Sequence, residues 1–542
     1  METLQEHIAV GMGIAYHAKK VPHNKAIISE FGERTFSELN ANCNKFANYL
    51  LEKGLQPGDA IAIVCKNRPE FLEALFGPLR IGLRITPINW HLTPEEICYI
   101  VENCEARVVV CDAEFSDFLT AIHDAMPEIN LMCVDGENPV ADSFLETIST
   151  FDNSDIAEPV AGRSMLYTSG TTGNPKGVML SHGGILSNCE GAQEILDTLV
   201  KNEKPVFLTW LPLSHSYEHT VQYVQISLGA KIYYAESLEK LLPNMAVAQP
   251  TIMTAVPRFY QNLFSKISLN FSKQKGLKKK LIESTIYLGT KNLNKEKLNF
   301  REKIVNFLCE KLVRKKIKNQ FGGKLKAFVS GGGALDQKIG EFLNSIGLPT
   351  LQGYGLTETS PVVSCNPISD IRIETVGPPF SQNQVKIAED GEILVKGENV
   401  MLGYWNNEIE TKKILIDGWL HTGDIGKFEN NFLIITDRKK DIIITPGGDN
   451  ISPSKVETEI TNSNFVEQAI VYGDNKPFLV ALIVPSDEKK LSFDQDFRKE
   501  LEKINKNLTK IEKIKKYFVI NEKFSIENGM LTPTLKLKRK KI

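Results

Sequence analysis

Short apolar runs alternate with longer amphipathic stretches through the first third of the chain. Three of the runs, Ile61–Val64, Val108–Val110 and Leu131–Val134, are apolar at every position. Such runs are typical of strands buried on both faces of a sheet, whereas the stretches between them carry apolar residues at helical spacing. The pattern predicts a large N-terminal α/β domain built from layered sheets and helices.

The pattern changes in the C-terminal part of the chain. Between about residues 380 and 436 it becomes short strands joined by turns such as Glu389–Gly391 and Glu429–Asn431, which favours a small β-barrel subdomain. After the polar run Asp437–Asp441, a hairpin signal at Gly473–Lys476 is followed by Lys- and Glu-rich helical segments. We therefore expect a large domain over residues 1–439 and a smaller, mobile α+β domain over residues 440–542.

Composition narrows the class of protein. The 542 residues include 64 basic and 66 acidic side chains, so the formal net charge of -2 gives no nucleic-acid signature. Nine scattered cysteines, without a Cys-x-x-Cys pair, favour a reducing compartment and argue against a zinc cluster. With no secretory signal pattern and no apolar run near the roughly 20 residues that span a bilayer, we expect a cytoplasmic protein.

The segment Tyr167–Val178 has the chemistry of a phosphate-binding loop. Its glycines and hydroxyls can converge on an anion, to which Lys176 adds a positive charge. It is not the loop of common nucleotide hydrolases, because Asn174 and Pro175 separate the last loop glycine from Lys176, and Gly177 stands where a hydroxyl would hold Mg²⁺. The predicted phosphate-binding residues are Thr168, Ser169, Gly170, Thr171, Thr172, Gly173 and Lys176.

Six further motifs follow the loop in order. They are Leu211–Glu218 (Leu-Pro-Leu-Ser-His-Ser-Tyr-Glu), Ser330–Leu335 (Ser-Gly-Gly-Gly-Ala-Leu), Gly353–Glu358 (Gly-Tyr-Gly-Leu-Thr-Glu), Gly418–Asp424, Asp437–Asp441 and Leu531–Lys536. This ordered set resembles the adenylate-forming (AMP-binding) superfamily, specifically its long-chain fatty acyl-CoA synthetases. The resemblance implies a carboxylate that attacks the α-phosphate of ATP to give acyl-AMP and pyrophosphate, after which a thiol displaces AMP. ATP, Mg²⁺ and coenzyme A are the implied cofactors and substrates.

The resemblance also implies roles for individual residues at the nucleotide. Tyr354 would stack on adenine, Thr357 would contact the α-phosphate, and Glu358 would bind Mg²⁺ with Thr168 as a second oxygen. Asp424 would accept hydrogen bonds from the ribose hydroxyls, with Arg438 as a donor at the same sugar. The remaining nucleotide contacts implied by the motifs are Gly332, Gly333, Ala334, Gly353 and Gly355.

Other implied roles concern domain motion and the second substrate. Lys440 matches the hinge about which the small domain rotates between the half-reactions, and Gly447 would let the backbone approach the pantetheine of CoA. Lys536 would stabilise the adenylation transition state, with Lys176, Thr357 and Glu358 as the other catalytic groups. His215 and Tyr217 match positions near the acyl pocket; which side chain gates an acyl tunnel stays open.

Three interpretations of function remain at this point. The first is a ligase that joins medium- to long-chain fatty acids to CoA. The second is an acyl-carrier-protein ligase, which shares the first half-reaction, and the third is a regulator that binds acyl groups or nucleotides without catalysis. Retention of charged groups such as Lys176, Glu358, Asp424 and Lys536 speaks against the third.

Residues Lys273–Lys326 form a basic segment, with seventeen Lys and Arg against four Glu. Leu281, Ile282, Ile286, Leu288 and Leu293 are interleaved with these charges. Such a pattern is typical of a solvated lysine-rich helical face, and it is also compatible with peripheral contact at the inner, anionic face of a membrane.

Substitution of Lys536 separates the two half-reactions. We expect Lys536→Ala to abolish acyl-AMP formation but to spare thioester formation from supplied acyl-AMP, because the lysine charge is needed only while pyrophosphate leaves. Fatty-acid-dependent exchange of pyrophosphate into ATP measures the first step. Exchange near the wild-type rate would refute the role of Lys536.

Overall fold

The computed structural model describes residues 2–168, 175–200, 203–446, 450–486, 493–525, 528–532, 537–539 and 541–542. Within them the helices are α1 (Leu4–Ala9), α2 (Gly13–Lys20), α3 (Phe36–Glu52), α4 (Pro69–Leu79), α5 (Pro94–Asn103), α6 (Ser116–Ala125), α7 (Phe144–Ser149), α8 (His182–Val200), α9 (Ser216–Ser227), α10 (Leu241–Ala248), α11 (Pro257–Ser272), α12 (Gly276–Leu293), α13 (Phe300–Cys309), α14 (Lys315–Gln320), α15 (Gln337–Ser345), α16 (Glu408–Ile414), α17 (Pro453–Thr461) and α18 (Phe493–Lys506).

The strands are β1 (Lys25–Ser29), β2 (Gly32–Thr35), β3 (Ala60–Val64), β4 (Arg84–Pro87), β5 (Ala106–Asp112), β6 (Asn130–Val134), β7 (Asp142–Ser143), β8 (Arg163–Tyr167), β9 (Gly177–Leu180), β10 (Val206–Thr209), β11 (Lys231–Tyr234), β12 (Ile252–Ala255), β13 (Ala327–Ser330), β14 (Thr350–Gly355), β15 (Val362–Cys365), β16 (Gln384–Ile387), β17 (Glu392–Lys396), β18 (Gly403–Tyr404), β19 (Leu415–Ile416), β20 (Trp419–Glu429), β21 (Phe432–Arg438), β22 (Ile443–Ile444), β23 (Asn450–Ile451), β24 (Val466–Tyr472), β25 (Leu479–Pro485) and β26 (Ile514–Val519).

The chain divides into two compact units: residues 1–384 with 395–420, and residues 385–394 with 421–542. The first contains two eight-stranded sheets. One has the order β15-β14-β13-β12-β10-β11-β1-β2, and the other the order β18-β9-β8-β4-β3-β5-β6-β7. Inner strands run parallel, and antiparallel pairs such as β14–β15 and β8–β9 lie toward the edges. The predicted layered α/β architecture is confirmed.

The three apolar runs are inner strands of the second sheet. Every residue of β3 is buried, and Val108, Val110 and Met132 also lie in the core. Parallel strands covered by helices on both faces need apolar side chains on both faces, which is why these runs show no alternation.

The second unit holds the smaller α+β fold of the C-terminal part. Strands β24, β25 and β26 form a sheet. Val456 and Ile460 of α17 and Phe497 of α18 share its core. Strands β20 and β21 pair antiparallel, and Glu429–Asn431 lies at their turn as the sequence pattern predicts. The boundary at residue 440 and the hinge role of Lys440 stay predictions.

The basic segment folds as α12, α13 and α14 after the end of α11. The structure shows that the apolar residues picked out in α12 face inward: Leu288 is buried, while Leu281 and Ile286 pack against the core. Neighbouring helices cover this face, which the residue pattern alone did not indicate. Among the residues described, no helix is both long and apolar enough to cross a membrane.

Candidate functional site

Two hydrogen bonds join the two ends of the predicted phosphate-binding loop. The Thr168 N–H donates to the Lys176 carbonyl at 3.0 Å, and the Lys176 N–H donates to Thr168 Oγ1 at 3.1 Å. Strand β8 ends just before this pair and β9 begins just after it. The Thr168 hydroxyl and Lys176 are thus held together at the base of the loop, whose residues Ser169, Gly170, Thr171, Thr172 and Gly173 lie outside the described residues.

The Lys176 ammonium has two neighbours that the sequence did not predict. Its Nζ donates to Glu410 Oε2 at 3.0 Å and lies 4.7 Å from the centroid of the Tyr404 ring. Lys413 also pairs with Glu410, and these two lysines, Lys413 first, lower the pKa of the Glu410 carboxyl to about 2. Lys176 is therefore positioned by an anion and by an aromatic face.

Tyr404 links Lys176 to the carboxylate predicted to bind Mg²⁺. The Tyr404 hydroxyl donates to Glu358 Oε1 at 2.7 Å, while the Met401 N–H donates to the Glu358 carbonyl at 2.9 Å. Burial and the neighbouring Glu358 charge raise the pKa of Tyr404, so the phenol remains a hydrogen-bond donor at neutral pH. The backbone and side chain of Glu358 are thus both fixed.

The 3₁₀ turn Thr357–Thr359 carries Thr357 and is anchored from several sides. The Asn188 and Asn399 side-chain amides both donate to the Thr359 carbonyl, at 3.3 and 3.2 Å. The Thr357 and Ser216 hydroxyls lie 3.2 Å apart. This contact brings the first turn of α9 against the Gly353–Glu358 motif.

The first turn of α9 joins a third motif as well. His215 caps the helix, with Nδ1 accepting from the Tyr217 N–H at 3.3 Å. The Tyr217 hydroxyl donates to the Val329 carbonyl at 3.0 Å, and its ring lies so close to Gly331 that a Cβ there would sit 2.8 Å from ring atoms. Glycine at 331 is therefore required by the Tyr217 ring.

Glu218 occupies a fully buried position in the same turn. Its two carboxyl oxygens accept from the hydroxyls of Thr209 on β10, at 2.9 Å, and Thr254 on β12, at 2.7 Å. Burial raises the pKa of Glu218 to about 7 despite these hydrogen bonds. The carboxyl ties α9 to neighbouring strands without a cation among its hydrogen-bond partners in the described part of the chain.

The motifs at Ser330–Leu335 and Gly353–Glu358, which are predicted to contact the nucleotide, lie at strand ends of the same sheet. Gly353, Tyr354 and Gly355 end β14, where a Cβ on Gly355 would sit 1.8 Å from the Pro361 carbonyl oxygen. Gly332, Gly333 and Ala334 follow β13; Gly332 has a φ of +77°, and Gly333 and Ala334 are exposed. The carboxyl ends of the adjacent parallel strands β13 and β14 thus present both motifs at one edge.

In the second unit, Asp424 and Arg438 are cross-strand partners of β20 and β21. Arg438 Nε donates to Asp424 Oδ1 at 2.8 Å, and the Asp424 carboxylate is largely buried. Lys440 lies just beyond β21 and is exposed. Gly447 and Lys536 lie outside the described residues.

The AMP-binding enzyme family matches residues 14–405, and the AMP-binding enzyme C-terminal domain matches residues 440–541. The chain is 29% identical to the long-chain-fatty-acid–CoA ligase FadD15 of Mycobacterium bovis, over 99% of this chain and 96% of that protein. It is 31% identical to long-chain-fatty-acid–CoA ligase 5 of Rattus norvegicus, over 93% and 82% of the two chains.

A solved structure of o-succinylbenzoate CoA synthetase from Bacillus subtilis, with its acyl-adenylate intermediate, shares the fold. The TM-score is 0.74 at 23% identity, with 97% of each chain covered. The same enzyme in complex with ATP and magnesium gives a TM-score of 0.73 at 22% identity, with 97% of this chain and 98% of that chain covered.

The chain belongs to the AMP-binding enzyme family. The resemblance to adenylate-forming enzymes that the ordered motifs indicate is thereby confirmed, and the two relatives named above, which it matches over 96% and 82% of their length, are long-chain-fatty-acid–CoA ligases.

Sequence reasoning missed Tyr404 and Glu410. Tyr404 follows Gly403 directly, and Glu410 lies three residues beyond Asn407, which caps α16 by accepting from the Glu410 N–H at 3.1 Å. That capping signal predicts where a helix starts but not which residues contact Tyr404 and Glu410. Their partners are distant in the chain: Tyr404 and Glu358 are 46 residues apart, and Glu410 and Lys176 are 234 residues apart.

The pH dependence of stability in a Glu218 variant tests whether the buried carboxyl resists ionisation. As pH rises from about 4.5 to about 7, the unfolded state loses the Glu218 proton while the folded state retains it, so the wild-type chain loses up to about 3 kcal/mol of stability. Glu218→Gln removes this loss. We expect it to raise the thermal midpoint relative to wild type at pH 8 and not at pH 5.

The matched control is Glu52→Gln at the exposed end of α3. It is expected to shift the midpoint equally at both pH values. An equal shift for Glu218→Gln at pH 5 and pH 8 would contradict a buried carboxyl that resists ionisation.

Proposed function

We propose that this chain is an ATP- and Mg²⁺-dependent ligase that joins medium- to long-chain fatty acids to CoA through an acyl-AMP intermediate. One observation carries the proposal most directly: Lys176, Tyr404 and Glu358 form one contact chain beside Thr357. The family match and the fatty acid–CoA ligase relatives support the reaction class and CoA as the acceptor.

The residues proposed to bind ATP would each contact a different part of its triphosphate. Lys176 would pair with the β- and γ-phosphates, while the Thr357 hydroxyl would donate to the α-phosphate. Glu358 and the Thr168 hydroxyl supply hard oxygens of the kind that Mg²⁺ prefers, and Glu358 Oε2 is directed by the Tyr404 hydrogen bond on Oε1. Bound there, Mg²⁺ would neutralise phosphate charge.

Two further groups of residues would contact the adenosine part of ATP. Asp424 would accept from the ribose hydroxyls, and its ion pair with Arg438 orients the carboxylate. Tyr354, at the end of β14, would stack on adenine beside the exposed backbone of Gly333 and Ala334.

The reaction would proceed in two displacements. A carboxylate oxygen of the fatty acid attacks the α-phosphorus and the bond to the bridging oxygen breaks, so pyrophosphate leaves; Lys536 stabilises the charge of this transition state. The CoA sulfur then attacks the acyl carbon, its proton is released, and the bond to AMP breaks. Rotation about Lys440, with Gly447 beside the pantetheine, would separate the two steps.

His215 and Tyr217 are proposed to border the acyl carboxyl. The Tyr217 hydroxyl is already bonded to the Val329 carbonyl, so its ring edge rather than its hydroxyl would meet the substrate. A carboxylate is ionised at pH 7 and needs no general base, which leaves His215 the role of helix cap and neighbour.

The direct test measures AMP release with fatty acids of two to eighteen carbons, with either CoA or a phosphopantetheinylated carrier protein as acceptor. We expect AMP release with CoA and with acids of medium to long chain.

Lys176→Ala should raise the KM for ATP about tenfold or more and leave the KM for the fatty acid nearly unchanged, because only a phosphate contact is lost. Turnover with carrier protein alone, or a larger change in the fatty-acid KM, would contradict the proposal.

We also propose that helix α13 contacts an anionic membrane surface. Phe300, Ile304, Phe307 and Leu308 recur at helical spacing on one face, and Leu312 extends it. All five are exposed, Phe300 by 78% and Phe307 by 56%. The surrounding basic segment, with net charge +13, complements anionic lipid, and each basic residue near such a surface contributes about 1 kcal/mol.

Co-sedimentation with vesicles tests this contact. We expect the wild-type chain to pellet with vesicles rich in phosphatidylglycerol and to be released by moderate salt, and the variant Phe300→Ser with Phe307→Ser to pellet several-fold less. The control, Leu242→Ser with Val247→Ser, removes two exposed apolar side chains of α10. Equal pelleting of both variants, or none by wild type, would exclude the α13 surface.

A further inference from the structure

Glu410 holds the lysine that the proposed function assigns to phosphate. It lies in the first turn of α16, where its Oε2 accepts from Lys176 Nζ at 3.0 Å and its other oxygen pairs with Lys413. The side chains of Lys176 and Glu410 are 30% and 34% exposed, so solvent and ligands can reach the pair. Lys176 therefore carries a protein anion at the position where a phosphate oxygen would bind.

We propose that Glu410 is an exchangeable counterion: it pairs with Lys176 when no nucleotide is bound, yields the lysine to the β- and γ-phosphates of ATP, and pairs with it again as pyrophosphate leaves. This inference rests on the proposed phosphate role of Lys176. It makes Glu410 a positioning residue that acts through Lys176 and does not touch the reacting atoms.

Two neighbours make the exchange feasible. Lys413 contacts the opposite oxygen of Glu410, so the carboxylate keeps a cation when Lys176 departs and would not face a bound phosphate uncompensated. The Tyr404 ring, 4.7 Å from Lys176 Nζ, is a neutral contact that does not repel phosphate. The lysine can thus change its anion while its aromatic contact persists.

The exchange predicts a measurable effect on affinity. Because phosphate must displace Glu410, removing the carboxylate charge should tighten binding of ATP and of pyrophosphate. A partly exposed ion pair of this kind corresponds to roughly a twofold to fivefold change in the dissociation constant. AMP, which lacks the β- and γ-phosphates, should bind unchanged.

The experiment is calorimetric titration of the full chain with ATP, pyrophosphate and AMP in Mg²⁺, without fatty acid or CoA. Glu410→Gln is compared with Glu408→Gln, which makes the same charge change in the same turn of α16 but breaks only the exposed pair with Lys412. We expect tighter ATP and pyrophosphate binding in Glu410→Gln alone. Equal effects of the two variants, or an equal gain for AMP, would overturn the proposal.

The double variant separates this inference from the proposed function. In a Lys176→Met background, ATP binding should weaken while AMP binding persists, and Glu410→Gln should then have no further effect. Unchanged ATP affinity in Lys176→Met would refute the phosphate role itself. If Lys176→Met weakens ATP binding but Glu410→Gln still tightens it by the same factor in that background, the phosphate role is retained and the exchange is refuted.

Discussion

The antiparallel pairing of β9 with β18 is the constraint on which the proposed phosphate-binding part of the site depends. It sets Val178 opposite Tyr404 and Met179 opposite Gly403, and the Trp405 N–H extends the ladder by donating to the Gly177 carbonyl at 2.8 Å. Because β9 begins directly after Lys176, this register fixes how far the lysine lies from the Tyr404 ring. A shift by one residue would turn Tyr404 to the other face of the strand and break its contacts.

Tyr404 connects that register to Glu358, the proposed Mg²⁺ ligand. Its ring contacts Lys176 and its hydroxyl reaches Glu358, while the Met401 N–H holds the Glu358 backbone. The phosphate cation and the proposed Mg²⁺ ligand are therefore spaced by one rigid side chain. A polyphosphate chelated by Mg²⁺ presents charges at a fixed separation, and prearranged partners reduce the reorganisation needed when it binds.

The sequence was sufficient for the fold class and for the family of the protein. Fully apolar runs such as Ala60–Val64 indicate buried strands, and the composition of the glycine, hydroxyl and lysine loop predicts phosphate binding. It was insufficient for Tyr404 and Glu410, since their roles come from pairing between distant strands. It also left open which helix of the basic segment is exposed, because a neighbouring helix can cover the apolar face of an amphipathic helix, and packing shows that α13 carries the exposed apolar face.

The Tyr404–Glu358 connection is tested most directly by a double-mutant cycle on the Mg²⁺ dependence of ATP binding, with Tyr404→Phe and Glu358→Gln as the single changes. Tyr404→Phe removes only the hydroxyl that orients Glu358. The structure predicts that it raises the Mg²⁺ concentration for half-maximal ATP binding in the wild-type background and has no effect once Glu358 is glutamine. If each change instead raised the required Mg²⁺ concentration by the same factor with or without the other, the result would contradict a site in which Tyr404 positions the proposed metal-binding carboxylate.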